Sequence, residues 1–229
     1  MTIPLASFGA FFALDEHDAA AAIRLPWQPL RDLTAHPDHL DDRVGRVRSA
    51  LNAQRAATNR TTPLPLRVAA SIAHLGLAAR ILSPAVGLTV LGYDAAPLLR
   101  GDAWWQDLMG GPFPLSCAPP RPITSPRPAL TGSWVAELTE LVCEKYAVSP
   151  LVLWGNVASA AHTAGSLITA AHPHLSPVTS QAVRSLLADS RIDPHDRSAT
   201  ERFRRHSCCL MYRVTDNRRN ICGDCILGS

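Results

Sequence analysis

Four of the six cysteines in this 229-residue chain lie close together near its C-terminal end. Cys208 and Cys209 are adjacent, and Cys222 and Cys225 form a Cys-x-x-Cys motif that contains a glycine. Such a turn can bring two thiolates onto one metal, because glycine permits the tight backbone that zinc and iron–sulfur sites require. Four thiols at this spacing therefore predict a metal or redox site.

The spacing leaves three occupants of that site open. A tetrahedral zinc ribbon normally repeats the Cys-x-x-Cys motif on its other side. Adjacent cysteines tend to send their side chains apart and fit a single small ion poorly, whereas two irons offer better-separated attachment points. The spacing favours a [2Fe–2S] cluster over structural zinc, and disulfides or free thiols are the third alternative.

The segment around these cysteines resembles the C-terminal signature of FhuF-type ferric siderophore reductases. The run SCCLMYR at 207–213 and the later CGDC at 222–225 match the four cysteine positions of that signature one for one. The polar loop between the two halves is about two residues longer than is usual in that family, and lengthening a surface loop costs little free energy. In that family the four cysteines hold one [2Fe–2S] cluster, so the resemblance implies these metal ligands: Cys208, Cys209, Cys222 and Cys225.

Two further segments share the resemblance. One runs from Ser71 to Pro84 and contains SIAHLG and RILSP, and the other is Trp154-Gly155-Asn156 followed by small residues. The likeness thus extends from about residue 60 to the end. It implies an oxidoreductase that passes one electron to ferric iron in an imported siderophore of the ferric hydroxamate type and releases Fe²⁺. The implied electron donor is an external protein of the ferredoxin or flavin reductase type.

Positive charge is concentrated around the cysteines. Residues 201–229 hold six arginines and three acidic side chains, a balance of 6 − 3 = +3, which equals the formal net charge of the whole chain. Arginines beside an anionic cluster offset its charge, and they could also dock an anionic substrate or an acidic donor. The alternatives are solvated arginines and a tryptophan in the core. The residues predicted to contact substrate are Arg204, Arg205, Arg218, Arg219 and Trp154.

No catalytic residue is predicted beyond the cluster ligands. His206 lies two residues before Cys208, and its titration range raises the question of whether it couples proton uptake to reduction. The chain has no Walker or dinucleotide glycine fingerprint, so it is not expected to bind ATP or NAD(P)H itself.

Two other functions are alternatives to the reductase hypothesis. A zinc-stabilised binding module could place its basic tail on nucleic acid. The adjacent cysteines, and the lack of a helix placed for groove reading beside the site, argue against a nucleic-acid partner. A protein that binds a siderophore without reducing it, around a structural cluster, is the other alternative.

The remaining chain predicts a mainly α fold: helical domains with a small C-terminal cluster module and a few short strands. Apolar residues recur at helical spacing from 38 to 60. A largely buried helix is expected over 64–88, with its end at Ser83-Pro84 because proline disfavours a continuing helix. No strand alternation stands out in the first 200 residues, and a short strand is expected within the module, around 210–214.

Composition divides the chain into four parts. Seven prolines between Pro112 and Pro128 favour an extended link between two halves. The predicted parts are an N-terminal helical half at 1–111, the Pro-rich link at 112–128, a C-terminal helical half at 129–200 and the cluster module at 201–229.

The sequence predicts a cytoplasmic protein. The first residues lack the basic stretch of a secretory signal, and clustered thiols stay reduced in the cytoplasm. The apolar stretch 151–171 includes Asn156 and His162, which favours a buried helix over a membrane span. No integral span is therefore expected, and a peripheral position near the siderophore importer is compatible with the sequence.

Overall fold

The computed structural model describes residues 3–18, 20–124, 129–197, 203–215 and 222–226. The protein is 54% helical and has one small four-stranded sheet. The predicted mainly α class is therefore confirmed.

Eight α-helices fall within the described residues. They are α1 (Asp32–Ala35), α2 (Pro37–Ala56), α3 (Leu66–Val90), α4 (Ala96–Leu99), α5 (Trp134–Tyr146), α6 (Pro150–Ala171), α7 (Ser176–Leu186) and α8 (Tyr212–Thr215). Three short 3₁₀ helices accompany them, at Leu5–Phe8, Ala10–Phe12 and Pro173–Leu175.

Helix α3 is the centre of the fold. It packs against α2, α5, α6 and α7, and its most extensive contact is with α6. Both helices are rich in alanine and other small residues, which lets their backbones approach closely. The polar residues that α3 and α6 do contain are therefore held at defined positions in the interior.

The predicted end of α3 at Ser83-Pro84 is wrong, because the helix continues through Pro84 to Val90. A proline inside a helix costs about 3 kcal/mol. The continuation buries Val86, Leu88 and Val90, and each such side chain contributes about 1.5–3 kcal/mol when fully buried. Burial beyond the proline thus outweighs the local cost.

Four very short strands form the sheet. They are β1 (Asp15–Glu16), β2 (Gln28–Pro29), β3 (Ala103–Trp105) and β4 (Leu115–Cys117). The order is β1-β4-β3-β2, with β1 parallel to β4 and the other pairs antiparallel. Strands of two or three residues are too short to show alternation in the sequence. The Pro-rich link contributes β4 and contains no helix over its described part, 112–124.

The short strand expected around 210–214 is also wrong, since residues 212–215 form helix α8. Leu210 has φ of 68°, in the left-handed region, which breaks an extended path directly before this helix. Arg55 of α2 donates hydrogen bonds to the carbonyl oxygens of Arg213 (2.6 Å) and Val214 (3.1 Å). These carbonyls are thus paired with a side chain rather than with a neighbouring strand.

By length and composition alone, α3 could also cross a membrane; its most apolar stretch has a mean hydropathy of 1.3. Of that stretch, 78% is buried inside the protein. Such burial is typical of the central helix of a helical core.

Arg80 of α3 binds two other parts of the chain. Its side chain is 2% exposed and donates to the carbonyl oxygens of Phe113 (2.7 Å), Phe11 (3.0 Å) and Ala13 (2.6 Å). Burial lowers the pKa of Arg80 to about 10, so the side chain stays charged at neutral pH. The charged side chain of Arg80 therefore joins the N-terminal segment and the loop before β4 to α3.

Replacing Arg80 by methionine is expected to destabilise the protein by about 3 kcal/mol or more, because three carbonyl oxygens lose a charged donor. Chemical denaturation measures the loss. Arg67→Met, at an exposed position of the same helix, is the control and is expected to change stability by less than about 0.5 kcal/mol. Equal losses in the two variants would contradict the role of Arg80.

Candidate metal centre

The cysteine module, residues 201–229, is described over 203–215 and 222–226. Its two described segments meet at their sulfurs: Cys209 Sγ and Cys222 Sγ lie 3.5 Å apart. The backbone N–H of Arg205 donates to the carbonyl oxygen of Asp224 at 3.0 Å, which joins the segments a second time. Residues that are far apart in the sequence of the module thus share one site.

A tight turn presents the second pair of cysteines. The backbone N–H of Cys225 donates to the carbonyl oxygen of Cys222 at 3.0 Å, which closes the turn across Gly223 and Asp224. Cys225 is buried and Cys222 is half-buried. This is the compact turn that the Cys-x-x-Cys spacing predicts.

The vicinal pair divides between the interior and the surface. Cys209 is buried and faces Cys222, whereas Cys208 is half-buried and accepts a hydrogen bond at its Sγ from the N–H of Leu210 at 3.4 Å. The left-handed conformation of Leu210 turns the chain directly after the pair. Such a conformation is uncommon for a bulky residue, and strained residues of this kind cluster at functional sites.

Proton sharing dominates the electrostatics of the thiols. A hydrogen bond from the Cys222 thiol lowers the pKa of Cys209 to about 6, against the opposing effect of burial. The same hydrogen bond, with burial, raises the pKa of Cys222. Burial raises the pKa of Cys208, and the nearby charge of Arg205 opposes this effect. One thiolate therefore forms readily, and a bound cation would displace the remaining protons.

The four thiols form a soft donor set that suits zinc, copper(I) or an iron–sulfur cluster. A tetrahedral ion with metal–sulfur bonds of 2.3 Å holds two sulfurs about 3.8 Å apart. The 3.5 Å between Cys209 Sγ and Cys222 Sγ is close to that value. Across the described residues, no three His, Cys, Asp or Glu side chains are arranged so that they could hold one metal ion. The donor set suits a thiolate-bound group, and one pair of sulfurs, Cys209 Sγ and Cys222 Sγ, has the separation of two ligands on one ion.

Asn156 of α6 connects the cysteine module to the helical core. Its side chain is fully buried; Oδ1 accepts from Arg205 Nη2 at 2.6 Å, and Nδ2 donates to the carbonyl oxygen of Ser71 at 3.0 Å. Ser71 Oγ in turn donates to the carbonyl oxygen of Cys209 at 3.0 Å. The segments 71–84, 154–156 and 207–213 thus meet at one buried network.

Gly155 makes room for the module. A Cβ atom at this position would lie 2.2 Å from Ser207 Oγ, 3.3 Å from Arg205 Nη2 and 3.5 Å from Asp196 Oδ2. The first of these distances is shorter than real Cβ contacts, so a larger residue would force the Ser207 hydroxyl, directly before Cys208, out of its position. Glycine therefore allows the close packing of Ser207 against α6.

Asp196 fastens the start of the module. Its Oδ1 accepts from the backbone N–H of His206 at 2.8 Å, and its carbonyl oxygen is 2.9 Å from His162 Nε2 on α6. The His162 ring stacks on Phe203, with centroids 3.9 Å apart. Burial raises the pKa of Asp196, and the hydrogen bond from His206 opposes this effect.

The predicted substrate contacts differ in their surroundings. Arg204 is exposed, whereas Arg205 is 1% exposed and points into the protein. Trp154 is buried, and the guanidinium of Arg191 lies 4.4 Å from its ring centroid. Of these five residues, Arg218 and Arg219 lie outside the described residues.

His206 is half exposed at the edge of the module. Its Nδ1 lies 3.5 Å from Asp193 Oδ2, and its ring stacks on His195 with centroids 4.7 Å apart. Its backbone position therefore depends on Asp196, while its ring packs against the 193–196 loop.

The sequence interpretation missed the residues that hold the site in place, namely Asn156, Ser71 and Arg55. Asn156 carried a signal, because a fully buried amide in an otherwise apolar helix needs hydrogen-bond partners from other segments. Ser71 begins a segment that shares the resemblance, but nothing in the sequence indicated its contact with Cys209. Arg55 carried no signal, since arginines are common on helices of every kind.

Comparisons with protein-family models, with curated proteins and with solved structures find no match to this chain.

His74 should make the fold sensitive to acid. Its Nε2 lies 2.9 Å from Thr139 Oγ1, whose own hydrogen goes to the carbonyl oxygen of Val135, so Nε2 donates and Nδ1 is unprotonated. Burial, together with the charge of Arg205, lowers the pKa of His74 to about 3. The unfolded chain instead takes up this proton at about pH 6.5. The stabilisation is therefore complete above that pH and is lost as the pH falls toward 3.

We expect wild-type stability to fall by up to about 1.4 kcal/mol per pH unit below pH 6.5 from this residue alone. His74→Gln removes the titration and keeps a donor for Thr139. Urea denaturation between pH 4 and 8 should give the variant a shallower pH dependence. Identical slopes for the two proteins would contradict the assignment.

Gly155→Ala is expected to loosen the cysteine module, because the added methyl overlaps Ser207 Oγ; overpacking of this kind typically costs about 1–3 kcal/mol. Thermal unfolding measures the loss. The double variant Gly155→Ala/Ser207→Ala removes the overlapping hydroxyl and should recover most of the stability. Gly76→Ala, at an open position of α3, is the control and should not destabilise. Lack of recovery in the double variant would contradict this packing.

Proposed function

We propose that this protein is a cytoplasmic ferric siderophore reductase of the FhuF type, with a [2Fe–2S] cluster held by Cys208, Cys209, Cys222 and Cys225. The observation that carries the proposal is the meeting of thiols from two segments, with 3.5 Å between Cys209 Sγ and Cys222 Sγ. The two other segments that share the resemblance lie beneath this site and contact it through Ser71 and Asn156.

The four cysteines would hold a group that supplies one-electron transfer between an external ferredoxin-type or flavin reductase-type donor and the ferric iron of the siderophore. Hard oxygen ligands hold Fe³⁺ tightly, and Fe²⁺ carries less charge and is held more weakly. One electron therefore suffices to release the metal. For a one-electron transfer, each ~59 mV of mismatch between donor and acceptor changes the equilibrium tenfold.

The exposure of the thiols supports exchange of electrons with large partners. Cys208 and Cys222 are half-buried, and Cys209 and Cys225 are buried. A group held between them would have one side near solvent and one side in the protein. The exposed Arg204 lies on the surface beside the pair and could attract an anionic ferric complex or an acidic donor protein.

The proposal is tested first by composition. Aerobically purified protein should be red-brown, with two irons and two inorganic sulfides per chain. Reduction under anaerobic conditions should give the EPR signal of a one-electron-reduced [2Fe–2S] centre. A colourless protein with one zinc per chain would instead support the zinc-stabilised binding module.

Cys209→Ser should abolish or strongly reduce iron binding, because the variant loses the thiolate that is buried and paired with Cys222. Cys143→Ser is the matched control, since this cysteine lies on α5, outside the module. Iron content and the visible spectrum report the outcome. Wild-type spectrum and iron content in Cys209→Ser would remove the vicinal pair from the ligand set and, with it, the basis of the reductase assignment.

Electron transfer is tested on the cluster-loaded protein. Dithionite-reduced protein, freed of excess reductant, should be reoxidised by a ferric hydroxamate, with one Fe²⁺ trapped by a ferrous chelator for each electron lost. The gallium complex of the same hydroxamate is the control, because Ga³⁺ binds similarly and is not reduced. A protein that binds the complex but is not reoxidised would be a siderophore-binding protein with a structural cluster.

A further inference from the structure

Arg205 carries a buried positive charge that its protein neighbours use only in part. Its side chain is 1% exposed. The Nη2 group donates to Asn156 Oδ1 at 2.6 Å and to the carbonyl oxygen of Val152 at 3.4 Å. Within the described residues, Nε and Nη1 have no hydrogen-bond partner. A guanidinium presents five N–H donors, so much of its capacity is left for another group.

A buried cation without an anionic partner is strongly unfavourable, and proteins tolerate one where a ligand or metal group completes the site. The charge of Arg205 favours the ionised form of the buried Asp196 carboxylate, but among the described residues that carboxylate accepts no hydrogen bond from Arg205 Nε or Nη1. The two neighbours that it does bind, an amide oxygen and a carbonyl oxygen, are neutral. Within the described residues, Arg205 therefore keeps two buried donor groups, Nε and Nη1, that an anionic group could accept from.

The cysteine site lies beside this cation. The backbone N–H of Arg205 is bonded to Asp224, between Cys222 and Cys225, and Arg205 precedes Cys208 by three residues. Arg205 Nη2 also donates to Asn156, which donates to the carbonyl oxygen of Ser71, and Ser71 Oγ donates to the carbonyl oxygen of Cys209. The guanidinium and the thiols therefore share one poorly hydrated region.

We infer that Arg205 is a positioning residue for the group held by the four thiolates: its unused N–H donors face that group, and its buried charge raises the group's reduction potential. This inference rests on the proposed cluster. A four-thiolate [2Fe–2S] centre is anionic and gains a further negative charge on reduction, so a fixed cation stabilises the reduced form more than the oxidised form. Hydrogen bonds to cluster sulfurs act in the same direction.

A purely structural Arg205 would give a different result. If Arg205 only joined α6 to the module, its replacement would change thermal stability and the fraction of chains that hold iron. It would not affect the potential of the chains that remain loaded. The reduction potential is therefore the readout that separates the two roles.

The test is an anaerobic redox titration of the loaded protein, followed by EPR. Arg205→Gln keeps an amide donor for Asn156 and removes the charge. Its potential should fall by at least the equivalent of a tenfold change in the electron-transfer equilibrium, about 59 mV for one electron. Arg205→Lys restores the charge and should recover part of the shift.

Arg213→Gln is the control. It removes one charge at a half-buried position of the same module and should shift the potential less than Arg205→Gln. A loaded Arg205→Gln protein with the wild-type potential would overturn the inference.

The wild-type protein supplies a second test that does not depend on the folding of a variant. Protein labelled with ¹⁵N only in the guanidinium groups of arginine should show a nitrogen coupling to the reduced cluster in pulsed EPR. The coupling should be absent when Arg205→Lys is labelled in the same way. No coupling in the wild type would contradict a facing guanidinium. A wild-type protein without a [2Fe–2S] centre would instead be a failure of the proposed function.

Discussion

The buried hydrogen bonds of Asn156 are the constraint on which the candidate site depends. α3 and α6 pack through small apolar residues, which by themselves would tolerate sliding of one helix along the other. Asn156 binds Ser71 on α3 and Arg205 in the module, and all three side chains are buried. A slip of either helix would leave polar groups unpaired in the core, and each would cost about 1–3 kcal/mol. The network therefore fixes the register of the helices and the position of the cysteines together.

This coupling explains why a small module of irregular chain can hold a defined arrangement of thiols. Within its described part, the module has one helix of four residues, α8, and one tight turn. Its order comes from outside: Ser71 binds Cys209, Arg55 binds the carbonyl oxygens of α8, and Asp196 binds the backbone of His206. Residues outside the module, on α2, α3 and the loop before the module, thus hold the site in position. Loss of packing under the module should consequently affect the thiols even when no cysteine changes.

Local patterns in the sequence indicate the candidate ligands and the long helices, whereas long-range packing decides the rest of the fold. Cysteine spacing is a local property, so the four candidate ligands could be named without knowing the fold. The long apolar helices could also be found, because their pattern repeats over many turns. Pro84 misled the prediction since its cost is local while the burial that outweighs it comes from other helices. The strands were missed because they are two or three residues long. The strand expected at 210–214 does not form, because Leu210 adopts a left-handed conformation and the helix α8 follows it.

The arginines show why net charge is a poor guide to a binding surface. Counted along the chain, the excess of positive charge around the cysteines predicts a basic face. In the structure, Arg205 is inside the protein and Arg204 is outside, although they are neighbours in sequence. Arg55 adds a nearly buried cation from α2, which binds backbone carbonyl oxygens of the module. An exposed charge is screened by solvent and salt, whereas a buried charge acts on its neighbours through a medium of low polarity. Arg205 is therefore a charge that acts on the thiols from inside the protein, where it lowers the pKa of Cys208 and Cys209 against the effect of burial.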